Sequence, residues 1–241
     1  MHILRLSTLS VFVLLVCCTK DHGADPDRRP DTSYNPQLNP LEFPASSQWT
    51  NVFAHVNPVK TYVYEGLTED GEEHIEIRKD PDFKMISGIT CGILVEKSWI
   101  EHQLVESVKE YYAEDVMGNL WLMGTDVDNF NSSGALINHH GSWEDGMDGA
   151  RAGIAMLGDP QLGRKYRQEY YFNIAENQAE VVQKGITVST KMATFYDCIV
   201  IREWSELEPD ILDYKMYAPG VGLVKEVNIS TGDIIELVDI R

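Results

Sequence analysis

The segment "GITCGILVEKSWIEHQLVESVKEYYAED", residues 88–115, decides the fold class of this chain. Its first part, before Trp99, is almost entirely apolar at the centre, which is typical of a β-strand buried on both faces. The rest of the segment fits either a helix or a long strand. Its apolar side chains recur at helical spacing, but Leu104, Val108 and Tyr112 would also line one face of a long strand. Residue propensity alone favours the helix here, and it favours a second helix in "AENQAEVVQK", residues 175–184.

Short runs of β-type sequence, separated by turn residues, fill the chain on both sides of this segment. They are "KTYVYEG", "EEHIEIRKD", "GNLWLMGTDVDNF", "KYRQEYYFNI", "GITVSTK", "FYDCIVIREW", "ILDYKMY", "GLVKEVNI" and "DIIELVDI". Roughly ten strands at such short spacing predict a mainly β fold with few or no helices. We expect an antiparallel sheet, either a curved sheet, an open barrel or a sandwich.

One turn is marked strongly enough to be assigned. "YAPGVG", residues 217–222, separates two of the alternating runs. Pro219 cannot donate a hydrogen bond to a neighbouring strand, and Gly220 adopts positive φ without steric cost. The pattern predicts a strand-reversing turn, with a bulge or a close backbone contact near Gly222. A ligand-binding loop is the alternative.

Composition limits the partners of the protein. The 241 residues are 43% hydrophobic, which is typical of a globular domain, and the formal net charge is −18. A surface this acidic repels nucleic acid and anionic lipid headgroups. We therefore expect no nucleic-acid partner.

The N-terminus carries the signature of an exported protein. "MHILRLSTLSVFVLLVCC" combines Arg5, a short apolar run and two cysteines, which is the arrangement of a secretory signal. The apolar run is too short to span a bilayer as a helix. Because it ends on cysteine, it resembles a bacterial lipoprotein signal, in which the cysteine is acylated after cleavage. This resemblance implies lipid attachment at Cys18, or at Cys17 in the adjacent frame, and a location in the bacterial cell envelope. An ordinary cleaved signal is the alternative.

The expected domain organisation follows from the change in composition after the signal, residues 1–18. Residues 19–45 are polar and rich in proline, without an apolar period, which predicts a flexible tether. Residues 46–241 then form a single β-rich domain.

Four blocks of sequence carry a family resemblance: "YYAEDVMGNLWLMG", "GSWEDGMDGARAGIAML", "YRQEYY" and "EWSELEPDILDYKMYAPGVGLVKEV". In this order they resemble an uncharacterised family of secreted bacterial proteins that are often lipoproteins. The resemblance covers about residues 85–240. It implies that residues 99–114 form strands joined by a hairpin, so the helix becomes the second choice there. It carries no activity and no catalytic residue.

The candidate binding loop is "NHHGSWEDGMDGARAG", residues 138–153, because long glycine-rich loops on β-scaffolds often carry binding sites. Its candidate residues are His139, His140, Trp143, Glu144, Asp145, Asp148 and Arg151. A surface loop with solvated acids is the plain alternative.

Metal binding is a weaker interpretation of the same region. His139 and His140 are neighbours, so in a strand they point to opposite faces and do not bind one transition metal easily. Calcium needs several oxygen ligands from a flexible loop. Two stretches supply such oxygens, "DGMDG" and "TDVDNFN", but neither has the spacing of an EF-hand. We expect no metal and no cofactor.

Cys91 and Cys198 remain once the signal is set aside. Both lie in strand-like segments, and an exported domain folds in an oxidising compartment, so a disulfide between them is one expectation. Two buried free thiols are the other.

These patterns favour a lipid-anchored, non-catalytic binding or accessory protein whose concave sheet face holds a small apolar ligand or an envelope protein. The first alternative is an exported hydrolase using the loop at residues 139–151, with Glu144 and Asp148 as the paired carboxylates. The second alternative is a calcium-stabilised structural lipoprotein.

The anchor can be tested directly. Cys18→Ser removes the acylated residue, and the acyl chains supply the membrane affinity, so the variant is expected to remain unprocessed or to become soluble. Membrane fractionation and the mass of the mature chain measure this. Cys17→Ser is the control for the frame, and normal processing with membrane partitioning in Cys18→Ser would contradict the lipoprotein assignment.

Overall fold

The computed structural model describes residues 28–241, and these residues form one antiparallel sheet. Its strands are β1 Thr61–Thr68, β2 Gly71–Ile86, β3 Ile89–Ile100, β4 Gln103–Glu114, β5 Leu120–Phe130, β6 Leu136–Asn138, β7 Trp143–Glu144, β8 Arg151–Met156, β9 Lys165–Arg167, β10 Glu169–Tyr170, β11 Asn177–Ser189, β12 Thr194–Ser205, β13 Glu208–Ala218, β14 Gly222–Asn228 and β15 Ile234–Ile240. The helical elements in this part of the chain are two 3-10 turns, Pro40–Glu42 and Val52–Ala54. None of its helices has the length and apolar character needed to cross a membrane.

The sheet curls into a nearly closed barrel. The strand order is β10-β8-β5-β4-β3-β2-β1-β15-β14-β13-β12-β11-β9, with β6 and β7 added on β5. The fold-class prediction is therefore confirmed, in its open-barrel form. Strands β1 and β2 form a hairpin around the turn at residues 69–70 and pair along the whole length of β1.

A single short segment closes the barrel. The two outermost strands, β9 and β10, are consecutive in the chain and are joined by Gln168. Strand β9 pairs with β11, while β10 pairs with β8, so residues 165–170 connect the two edges of the sheet. Gly153 is needed beside this segment, because a Cβ there would lie 2.4 Å from the carbonyl carbon of Gln168.

Both helices favoured by propensity are strands. Residues 99–114 belong to β3 and β4, joined by a tight turn in which Glu101 and His102 adopt positive φ. This agrees with the family resemblance. The helix expected over residues 175–184 is wrong, because most of that segment lies in β11, between β12 and β9. Pairing on both sides satisfies its backbone groups, and this outweighs the helix propensity of its residues.

The turns between the strands lie at two opposite ends of the barrel. We call the end formed by the turns at residues 69–70, 101–102, 206–207 and 229–233 the acidic end. The opposite end, formed by the turns at 87–88, 115–119, 190–193 and 219–221, is the covered end. The interior towards the covered end is apolar, and its residues include Tyr64, Ile77, Leu94, Leu122, Ile199 and Tyr217.

Residues 49–57 lie across the covered end. The Glu114 carboxylate accepts hydrogen bonds from Thr50 N and Oγ1, both at 2.6 Å, and from Asn51 N at 2.8 Å. The Asn51 amide in turn donates to the carbonyl oxygens of Gly118 and Leu157. Strand ends and turns on the rim of the barrel thus hold this segment in place.

The turn "YAPGVG" belongs to the same cover. Gly220 has φ of 74° and donates its N–H to Val52 O at 2.8 Å. Gly222 has φ of 94°, and a Cβ there would lie 2.6 Å from His55 O. The expected strand reversal and the close backbone contact at Gly222 are both present, and the contact serves packing.

The described part of the expected tether lies against the barrel. Tyr34 donates its hydroxyl to Ala152 O at 2.8 Å, Arg28 pairs with Glu176, and Phe43 is buried on the outer face. Residues 28–45 therefore contact the domain where a free linker was expected, since their aromatic rings bury against the outer strands. Residues 1–27, including the signal and Cys18, lie outside the described residues.

Cys91 and Cys198 do not form a disulfide. Strands β3 and β12 are not neighbours in the sheet, and Cys91 packs on the outer face whereas Cys198 packs with the interior. The disulfide expectation is wrong because the spacing of strand-like segments does not reveal which strands are adjacent. Burial raises the pKa of the Cys91 thiol to about 12 and also raises that of Cys198.

Both thiols are therefore expected to be inert in the folded protein. In a Cys17→Ser/Cys18→Ser background, an aromatic disulfide reagent should label neither cysteine under native conditions and both after unfolding. Mass spectrometry after each treatment measures the labelling. A disulfide-linked peptide, or rapid native labelling, would contradict the strand order.

Candidate binding site in the barrel interior

The carboxylates of the candidate loop, residues 138–153, do not converge on one site. Its Trp143 is buried, with 6% of its surface exposed, and points into the barrel. Glu144 is the next residue in β7 and turns outward, where Lys84 Nζ lies 2.8 Å from its carboxylate. Asp145 accepts hydrogen bonds from Ser87 Oγ at 2.6 Å and from Ala152 N at 2.9 Å. Each acid thus has its own partner on the outside of the sheet.

The remaining loop residues are also dispersed. His139 is largely exposed, and its Nδ1 lies 2.9 Å from an Asp128 carboxylate oxygen. His140 and Asp148 are exposed, and Arg151 Nε donates to Asn35 Oδ1 at 3.3 Å.

The residues considered for calcium do not converge either. Asp126 accepts a hydrogen bond from the Tyr111 hydroxyl, and Asn131 caps the turn between β5 and β6. Within residues 28–241, no group of three or more His, Cys, Asp and Glu side chains is arranged to hold a metal ion.

The barrel interior contains a cluster of acids that the sequence analysis did not single out. It consists of Glu73, Glu96, Glu106, Glu110, Glu169, Glu203, Asp213 and Glu226, all buried, together with Lys215. Most of these residues lie in the half of each strand nearer the acidic end. Sequence carried a usable signal in β4, where Glu106, Val108, Glu110 and Tyr112 alternate and therefore share one face.

Lys215 is the positive centre of the cluster. Its side chain is 0% exposed, and Nζ lies 3.0 Å from a Glu203 oxygen and 3.8 Å from a Glu226 oxygen. Burial alone would lower the pKa of Lys215, but these two carboxylates outweigh it and raise the pKa above its usual value. The ammonium therefore stays charged and balances part of the buried negative charge.

Glu169 ties the closing segment to the interior. Its carboxylate accepts hydrogen bonds from Trp143 Nε1 at 2.9 Å and from Asn177 Nδ2 at 2.8 Å. Burial raises the pKa of Glu169, and the Trp143 hydrogen bond opposes that shift. The expected binding loop and the closing strand thus meet inside the barrel through one tryptophan.

The wall formed by β3, β4 and β5 carries polar atoms without protein partners. Glu96 and Glu106 are each 1% exposed, and none of their four carboxylate oxygens has a hydrogen-bond partner among residues 28–241. The same is true of Ser98 Oγ and Asn129 Oδ1. Burial raises the pKa values of Glu96 and Glu106, and neighbouring carboxylates raise them further.

Two solved structures are similar to this chain. No family model and no curated protein matches it. One structure, from Bacteroides fragilis, is provisionally described as an exported protein with a YmcC-like fold; it is 14% identical, with a TM-score of 0.42. The other, provisionally described as a lipoprotein from Parabacteroides distasonis, is 12% identical, with a TM-score of 0.41. Each comparison covers 80% of this chain and all of the other, and at these values it carries no conclusion about binding or activity.

The interior acids predict the pH dependence of stability. Burial raises the pKa of Asp213 from 3.8 to about 7 and that of Glu226 from 4.5 to about 8, with Lys215 opposing both shifts. At any pH between the ordinary pKa of each acid and its raised pKa, the folded state binds more protons than the unfolded state. The contribution of these two acids to stability is therefore fully present below about pH 4 and is lost as the pH rises towards 8.

Urea unfolding at pH 5 and pH 8 tests this dependence. We expect the free energy of unfolding to be larger at pH 5 by at least ~2 kcal/mol. The variant Asp213→Asn/Glu226→Gln should show a flatter profile. A wild-type stability that rises between pH 5 and pH 8 would show that these acids are not held protonated inside the barrel.

Proposed function

We propose that this chain is a lipid-anchored, non-catalytic binding protein of the bacterial cell envelope, and that its ligand lies in the polar half of the barrel interior. The observation that carries the proposal is the set of buried polar atoms without protein partners on Glu96, Ser98, Glu106 and Asn129. A buried carboxylate without hydrogen bonds is strongly unfavourable, so these atoms call for donors from another molecule.

The two halves of the interior favour a polar ligand over the apolar one suggested by sequence. Large apolar and aromatic side chains, among them Tyr64 and Tyr217, already fill the half near the covered end. Residues 49–57 lie across that end. The polar half adjoins the acidic end, where Glu106 lies near the turn at residues 101–102. Entry from the acidic end would bring a ligand to the unpartnered atoms first.

Anchoring supports an envelope role with the acidic end near the membrane. The described chain begins at Arg28, which contacts Asn173 and Glu176 beside the acidic end. Arg28 is ten positions after Cys18, with nine residues between them. Even a fully extended chain of that length reaches only about 35 Å, which is comparable to the length of the barrel strands.

A binding role is favoured over the exported hydrolase. Of the two expected carboxylates, Glu144 pairs with Lys84 on the outside of the sheet and Asp148 is exposed in the turn after β7. Two carboxylates that share no cleft do not flank a glycosidic bond.

Native mass spectrometry of the full-length protein, extracted from membranes of its own host, tests the proposal. We expect a retained small molecule in the wild type, and its loss in Glu96→Gln/Glu106→Gln, because those two carboxylates lack protein partners. Glu144→Gln/Asp148→Asn is the matched control, since these acids lie outside the barrel, and it should retain the molecule. If wild-type protein has only its lipidated mass in several preparations, the binding role is overturned.

A further inference from the structure

The barrel already shows how it binds one ammonium group. The Lys215 ammonium lies on the wall formed by β12, β13 and β14, between the carboxylates of Glu203 and Glu226. These two residues belong to the strands on either side of β13, and the register pairs Lys215 directly with Glu226. A primary ammonium is thus held by carboxylates from two neighbouring strands.

The wall formed by β3, β4 and β5 has a similar arrangement of oxygens. Ser98 on β3 pairs with Glu106 on β4, which pairs with Asn129 on β5, so the three side chains form one row across three strands. Directly paired residues have Cβ atoms about 5 Å apart, within reach of one small group. Glu96 lies two residues before Ser98 on the same face of β3.

The hydrogen bonds of Asn129 use its amide nitrogen and leave its oxygen without a donor. Its Nδ2 donates to Asn138 Oδ1 at 2.9 Å and to the carbonyl oxygen of His140 at 3.2 Å, which occupies the amide donors. Its Oδ1, like the carboxylate oxygens of Glu96 and Glu106, has no donor among the described residues. When Glu96 and Glu106 are ionised, the row is rich in acceptors and its one donor is the Ser98 hydroxyl.

We infer that this second wall binds the primary ammonium group of a small organic ligand, with Glu96 and Glu106 as the charged contacts and Asn129 Oδ1 and Ser98 Oγ as neutral ones. This inference rests on the proposed binding function and specifies its ligand class. An ammonium group has three N–H donors in a compact head, so it matches a set of acceptors spread over three strands.

Other ligand classes fit the row less well. A metal ion needs several carboxylates converging on one point, and no group of three acids in residues 28–241 does so. Burial raises the pKa values of Glu96 and Glu106, and a neutral sugar supplies hydrogen bonds but no positive charge to favour their ionised forms, whereas an ammonium group supplies both. The Lys215 ammonium lies closest to the opposite wall, 3.0 Å from a Glu203 oxygen, and its charge only partly opposes the raised pKa of Glu96.

Calorimetric titration of the full-length protein in non-ionic detergent with butylamine tests the inference. Wild type is expected to bind butylamine, and Glu96→Gln/Glu106→Gln should lose at least tenfold in affinity. Glu72→Gln is the matched control, because Glu72 lies on β2 near the same end but is exposed, and its affinity should be unchanged. Tetramethylammonium has the same charge without an N–H donor and should not bind.

The outcomes separate the two proposals. Absence of butylamine binding to wild type, equal binding to the double variant, or equal binding of tetramethylammonium or calcium would overturn the ammonium site. If native mass spectrometry then shows a retained molecule without an amine, the binding function stands and only the ligand class fails. Ser98→Ala removes one hydroxyl and should weaken butylamine binding several-fold. Should the double variant fail to fold, an unchanged affinity in Ser98→Ala would overturn the site.

Discussion

Closure of the sheet by residues 165–170 is the constraint on which the rest of the structure depends. An antiparallel sheet of this length would otherwise expose two edges of unpaired backbone groups. Strand β9 satisfies one edge and β10 the other, and Gln168 between them donates its N–H to Asn177 O. Once the sheet is closed, strand alternation assigns alternate side chains to the interior. Polar residues on the inward face of a strand are then buried together, whatever their individual preference for water.

The acidic interior follows from that assignment and has a physical consequence. Burial disfavours the charged form of each carboxylate, and the buried ammonium of Lys215 offsets part of the charge. The apolar half of the barrel stabilises the fold, while each buried group of the polar half costs free energy unless it finds a partner. Glu169 finds them in Trp143 and Asn177, whereas Glu96 and Glu106 do not find them within the described protein. The unpartnered carboxylates of Glu96 and Glu106 are the basis for proposing a ligand.

Several parts of the fold could be predicted from local pattern because their causes are local. The hairpin between β1 and β2 follows from two alternating runs around a turn, and the close contact at Gly222 follows from the glycine itself. Residues 175–184 were predicted wrongly because helix propensity is weaker than pairing of β11 on both sides. The candidate loop reaches the interior through Trp143. Its acids point outward, because β7 places neighbouring residues on opposite faces.

By itself the sequence determined the β class and the main turns, and it predicts export, since these depend on residue type and spacing over short distances. Only the tertiary structure decided which strands are neighbours. That choice separated Cys91 from Cys198, and it brought Glu96 and Glu106 into one interior with Lys215. The physical reason is that each of these groups lies on a different strand. Their distances depend on the strand order and register of the closed barrel, which no local pattern encodes.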